Sequence, residues 1–135
     1  GLGIEARWGG STTSLLLLRN GHNSFDFLSL YAQDAALVFD IRVTHPPKKP
    51  VEAWLFSGPL TGSLVDISAT IRTLSPDLWH SLSIDLNCFA QDRADFSKVD
   101  VPFGLQTAGS FAAAIANVRY EPGRAATAQV RCPKP

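Results

Sequence analysis

A chain of 135 residues with 12 basic and 12 acidic side chains has no formal net charge. Nucleic acid requires a basic stripe to neutralise phosphates, and a bilayer span requires about 20 consecutive apolar residues; the sequence offers neither, so neither partner is expected. The size is that of one domain, residues 1–135, and a charged fraction of 18% with 10 Gly and 9 Pro suits an all-β chain with many turns.

In chain order, Ile4, Ala6 and Trp8 alternate with Glu5 and Arg7, the period of a half-buried strand, which Gly9-Gly10 closes. Ser11 to Arg19 reads as a second strand whose unbroken leucines imply cover on both faces. Asn20-Gly21 turns the chain because both residues tolerate positive φ. Phe25 and Phe27 bracket Asp26 in a short third strand. Ala35 to Thr44 alternates most cleanly, with Leu37, Phe39, Ile41 and Val43 inward and Val38, Asp40 and Arg42 outward. The prolines between His45 and Pro50 stop it, since they lack the N–H that a ladder needs. Val51 to about Phe56 forms the next strand, and Ser63 to Ile67 resumes extended structure.

Ile67, Ile71 and Leu74 then share one face of the single helix expected, with Asp66 or Ser68 to cap it and Pro76 to stop it. From Trp79, His80, Leu82, Ile84 and Leu86 fall on one side of a strand and Ser81, Ser83 and Asp85 on the other. Alternation ends at Asn87-Cys88-Phe89, and a polar connection runs from Gln91 to Asp100. Val101-Pro102-Phe103 opens a strand to Thr107, with proline placed where a missing N–H costs least. A turn at Ala108-Gly109 leads into a long strand from Phe111 to Tyr120, whose alanines 112–114 and 116 imply close packing against a neighbouring layer. Glu121-Pro122-Gly123 turns again, and Ala126 to Arg131 is a last strand or an extended tail. About nine short strands without βαβ alternation define two packed antiparallel sheets.

The order of strand, Cys88-Phe89, an acidic loop ending in Ser97-Lys98-Val99, and then Pro102-Phe103 resembles a known family. It is similar to the non-catalytic C-terminal domain of bacterial family 3 glycoside hydrolases, the exo-glucanases and β-glucosidases, which has a galactose-binding-like fold. The resemblance also takes in 34–40 with Arg42-Val43, Pro50-Val51, and Gln106-Thr107 leading into 115–119, a span of about 30 to 120. It implies a jelly-roll β-sandwich of two antiparallel sheets with one short helix. It further implies a periplasmic or secreted accessory domain, a piece of a larger enzyme, packing on that enzyme's catalytic domains and contacting β-glucan. The family's catalytic aspartate and acid/base glutamate lie in preceding domains, so no catalytic residue carries over.

The residues themselves agree that the chain alone is no enzyme. Glycoside cleavage needs two carboxyl groups about 5–9.5 Å apart across a sugar. Asp40 and Asp85 sit at outward strand positions, and Asp92, Asp95 and Asp100 share one loop with Arg93 and Lys98. His22, His45 and His80 have no metal-ligand spacing, and no cofactor is expected. Asp92 and Asp95 are weak calcium candidates, with the neighbouring cations against them. Cys88 and Cys132 are either a disulfide pinning the tail or two thiols, and spacing decides neither.

Trp54, Phe56 and Glu52 share the face opposite Val51, Ala53 and Leu55. That face is expected to meet another domain of the parent enzyme. One alternative makes Trp54 the sugar platform of an independent carbohydrate-binding module; another makes the chain purely structural or oligomerising. Trp8 and Trp79, at strand ends, are expected to plug the core.

Overall fold

The computed structural model describes residues 4–9, 14–18, 24–57, 62–90 and 95–134, with the backbone alone for 14–18. One four-stranded sheet has the order β1 (Ile4–Gly9), β8 (Ser110–Glu121), β3 (Ala36–His45), β6 (Trp79–Asp85). The other has the order β2 (Ser14–Leu18), β7 (Val101–Thr107), β4 (Val51–Phe56), β5 (Gly62–Asp66). Every neighbouring pair is antiparallel, and this order is a jelly roll.

Alternation builds the core between the sheets. Leu37, Phe39 and Ile41 of β3 and Leu82 and Ile84 of β6 face Val51, Ala53 and Leu55 of β4 and Phe103 and Leu105 of β7, all with no exposed surface. Phe39 meets Phe103 edge-on, with ring centroids 4.8 Å apart, joining the two sheets. Each large side chain withdrawn from water in this way stabilises the fold by roughly 1.5–3 kcal/mol.

β8 changes phase partway along. Phe111, Ala113 and Ile115 point inward, but beyond a bulge the inward residues are Val118 and Tyr120. The extra residue is Asn117, at φ 52°, a left-handed conformation that asparagine tolerates better than most. Ala112, Ala114 and Ala116 point outward and are still buried, although no third layer covers them among the described residues.

Among the described residues, three short helices are present where one is expected. Ser68–Arg72 (α2) is the expected one; Leu28–Ala32 (α1) and Asn87–Ala90 (α3) are additional. Each begins after an aspartate whose Oδ1 accepts the N–H two residues on: Asp26 from Leu28 at 3.0 Å, Asp66 from Ser68 at 2.8 Å, Asp85 from Asn87 at 2.9 Å. Ser68 does not cap α2; its hydroxyl accepts the Val51 N–H at 2.8 Å. Phe25 makes only an isolated bridge to Val99, not a strand. The expected second strand begins at Ser14, and its turn at Asn20-Gly21 lies outside the described residues.

The tail, after a 3₁₀ turn at Ala125–Thr127, returns along β6. Val130 forms a parallel bridge with Ile84, donating to Ser83 O at 3.0 Å and accepting from Asp85 N at 2.9 Å. Cys132 is joined to Cys88 by a disulfide, with Cα atoms 5.0 Å apart. This covers part of an edge strand that would otherwise offer unpaired backbone groups.

Candidate functional site

β4 lies between β7 and β5, so its outward residues stand on the middle of a sheet face. Glu52, Trp54 and Phe56 occupy that face, half-buried, while Val51, Ala53 and Leu55 between them are buried. Glu52 is in register with Gln106 on one side and Asp66 on the other. Gln106 Nε2 donates to Glu52 Oε1 at 3.0 Å. Trp54 is in register with Gly104 and Leu64. A glycine there puts no side chain beside the indole on the β7 side.

Trp54 and Phe56 stack on each other, with centroids 5.7 Å apart and planes 6° from parallel. Each ring therefore covers one face of the other, which helps to keep both partly buried. The indole Nε1 is buried and has no acceptor among the described residues. A buried donor without a partner costs about 1–3 kcal/mol, so this face carries an unmet demand for an oxygen.

The other tryptophans divide. Trp8 plugs the core as expected, 5% exposed and 5.1 Å from Phe111 between ring centroids. Trp79 does not: it is 47% exposed on the outer face of the first sheet, with the Arg42 guanidinium 5.4 Å from its centroid. Its position at a strand end misleads. Its parity with Ser81 and Ser83, both outward, is the better guide.

The carboxylates are engaged locally. Asp40 accepts from Asn117 Nδ2 at 2.7 Å and Ser81 Oγ at 3.0 Å, with Arg119 Nη1 at 3.5 Å. These partners, Asn117 foremost, hold its carboxyl below the usual carboxylate range. Asp85 is buried and bonded to the Asn87 side-chain amide at 3.0 Å. Asp95 Oδ1 accepts from the hydroxyl and N–H of Ser97, which lower its pKa. Asp92, the other expected calcium ligand, lies outside the described residues. Among the described residues no group of three or more His, Cys, Asp or Glu side chains could hold a metal ion. His80 Nε2 lies 3.1 Å from Ser75 O, His45 is exposed, and His22 is outside the described residues.

The Exop_C family, galactose-binding domain-like, matches residues 2–120, and the chain belongs to that family. No curated protein sequence matches it. Among solved structures it is similar to the family 30 carbohydrate-binding module of the cellulosomal cellulase Cel9D-Cel44B of Clostridium thermocellum. That match has a TM-score of 0.71 and 15% identity over 90% of this chain and 75% of that one. It is also similar to an exo-1,3/1,4-β-glucanase from a Pseudoalteromonas species, with a TM-score of 0.64 and 19% identity over 88% of this chain. The chain spans only 14% of that glucanase. An agarase, AgWH50C, matches with a TM-score of 0.61 and 11% identity over 90% of this chain and 22% of its own. At these identities the structural likenesses establish a shared fold.

Proposed function

We propose that the chain is a non-catalytic accessory domain of a secreted or periplasmic family 3 β-glucosidase or exo-glucanase, and that it packs on the catalytic domains through Glu52, Trp54 and Phe56. The observation that carries this reading is the Trp54 Nε1 donor, buried without an acceptor among the described residues, beside a stacked aromatic pair on an outer sheet face. Stacked aromatics on a sheet face suit a protein interface, where such side chains are enriched. A main-chain or side-chain oxygen of the partner would complete the indole N–H. The test is an interaction measurement between this chain and the catalytic domains of its parent enzyme, with Trp54→Ala weakening the complex about tenfold or more.

A second reading, the carbohydrate-binding module, rests on the Glu52–Gln106 pair next to the same rings. A carboxylate and an amide beside an apolar plate are the mixture that recognises sugars. Glucan affinity of the isolated chain that depends on Trp54 would favour it over docking.

A further inference from the structure

The tail is laid against the sandwich rather than built into it. The family match ends at residue 120, and beyond the Pro122-Gly123 turn the chain crosses the start of β3 to reach the edge of β6. Gly123 N–H donates to Gln33 O at 2.8 Å and Ala125 N–H to Asp34 O at 2.9 Å. Ala128 packs with Ala36 and Val38 on the outer side of β3. Gln129 Oε1 accepts the Ser83 N–H at 2.8 Å, and Gln129 N–H donates to Ser83 Oγ at 3.0 Å. Val130 then bonds Ser83 O and Asp85 N through its main chain, and Cys132 closes onto Cys88. Ser83 and Asp85 are buried, so their main-chain groups on this edge require a partner. Little apolar surface holds the segment that supplies it. Its buried side chains are two alanines, Ala125 and Ala128, with Val130 partly buried, while Gln129 and Arg131 are exposed.

We infer that the edge of β6 is a strand-acceptor surface whose partner is a second copy of this chain. Two copies exchange residues 124–134, and reciprocal bridges join Cys88 of each to Cys132 of the other. The fit needs no new contact, because every bond the tail makes within one chain can be made to an identical edge. One connection, Glu121-Pro122-Gly123, decides which copy's edge the tail reaches. Gly123 folds it back at φ 73°, a left-handed conformation, and no described atom lies within 4 Å of where a Cβ would stand. Since few apolar contacts hold the tail, the bridge fixes which copy it stays on. Exchange proceeds by attack of a small monothiol's thiolate on a bridge sulfur, leaving one cysteine as a mixed disulfide and the other as a thiolate. A cysteine thiolate of the second copy then attacks the mixed disulfide and expels the monothiol. Two S–S bonds within chains become two between chains, with no net oxidation or reduction and the monothiol recovered. The β4 face takes no part in this exchange.

The test mixes isotope-labelled and unlabelled 135-residue chains at high concentration with reduced and oxidised glutathione, then quenches with an alkylating reagent. Size-exclusion chromatography with light scattering separates monomer from dimer, and mass spectrometry of proteolytic fragments reads the bridge in each. The expected result is a dimer whose share grows with concentration and whose Cys88–Cys132 peptides join a labelled half to an unlabelled one. Gly123→Ala, strained only in the closed turn, should raise the ratio of dimer to monomer about fivefold or more. Bridge peptides of uniform label at every concentration overturn the inference, as does a dimer joined through Cys88 to Cys88. A ratio unchanged in Gly123→Ala also overturns it. None of these outcomes bears on docking through the β4 face.

Discussion

Tyr120 on β8 donates its hydroxyl to the main-chain carbonyl of Pro102 on β7, a bond that runs from one sheet to the other. Burial pushes the phenol above its ordinary value of 10.0. The folded state therefore holds this proton more tightly than the unfolded chain. Its contribution is complete below pH of about 10 and is lost as pH rises beyond that. Tyr120→Phe should cost about 1 kcal/mol at neutral pH. It should also make the decline in stability toward alkaline pH shallower than in the unaltered chain. Urea unfolding at a series of pH values checks both, and identical alkaline slopes would count against the buried hydroxyl.

The Cys88–Cys132 bridge, 44 residues apart in sequence, closes a loop that includes β7 and β8. Loop-closure entropy puts its stabilisation at up to about 4 kcal/mol. Cys88→Ser with Cys132→Ser should lower the urea midpoint accordingly and speed amide exchange at Asp85 and Val130, which the tail's return along β6 protects. Native, non-reduced protein should take up no alkylating reagent at either cysteine.

Much of this fold is legible in the sequence, for reasons that particular residues make plain. β3, β4 and the core half of β6 have strict period two and fully buried inward residues, and such strands announce themselves. The phase change in β8 does not, because Asn117 sits between Ala116 and Val118 as an ordinary polar position would; only its left-handed backbone makes the bulge. The helices α1 and α3 are 5 and 4 residues long, too short for a helical period, and aspartate side chains rather than apolar spacing start them. The cysteine pairing depends on a tail folding back alongside β6, which spacing cannot express. The Glu52–Trp54–Phe56 face follows from alternation alone, whereas the orphaned indole N–H depends on packing. Trp79 is within reach of the same alternation that places Ser81 outward.

Asp40 ties β3 to β8 and β6 through Asn117 and Ser81. Its folded pKa lies below the ordinary value of 3.8, with the Asn117 amide the chief cause. Its contribution is thus present above pH of about 4 and is lost as pH falls through the folded value. Asp40→Asn should be less stable than the unaltered chain at neutral pH, with the gap closing in acid. Unfolding curves at both ends of that range would show a constant gap if the carboxylate charge were irrelevant.

The chain alone should turn over no nitrophenyl β-glucoside. Of the carboxylates weighed for cleavage, Asp40, Asp85 and Asp95 are each engaged by neighbouring side chains. Turnover by pure protein that disappears with a single Asp→Asn change would mean that an opposed carboxylate pair exists.

The docking role of the β4 face stands or falls on Trp54. In the isolated chain Trp54→Ala should cost clearly less than the roughly 3–5 kcal/mol of a fully buried core aromatic, since the ring is only partly buried and its N–H has no acceptor among the described residues. The most direct measurement is the affinity of this chain for the catalytic domains of its parent enzyme, by calorimetry, with and without Trp54→Ala. Docking through this face predicts a complex that the substitution weakens tenfold or more, about 1.4 kcal/mol, while the isolated domain stays folded. An equally tight complex with the variant, or a domain that loses several kcal/mol of stability on its own, would contradict it.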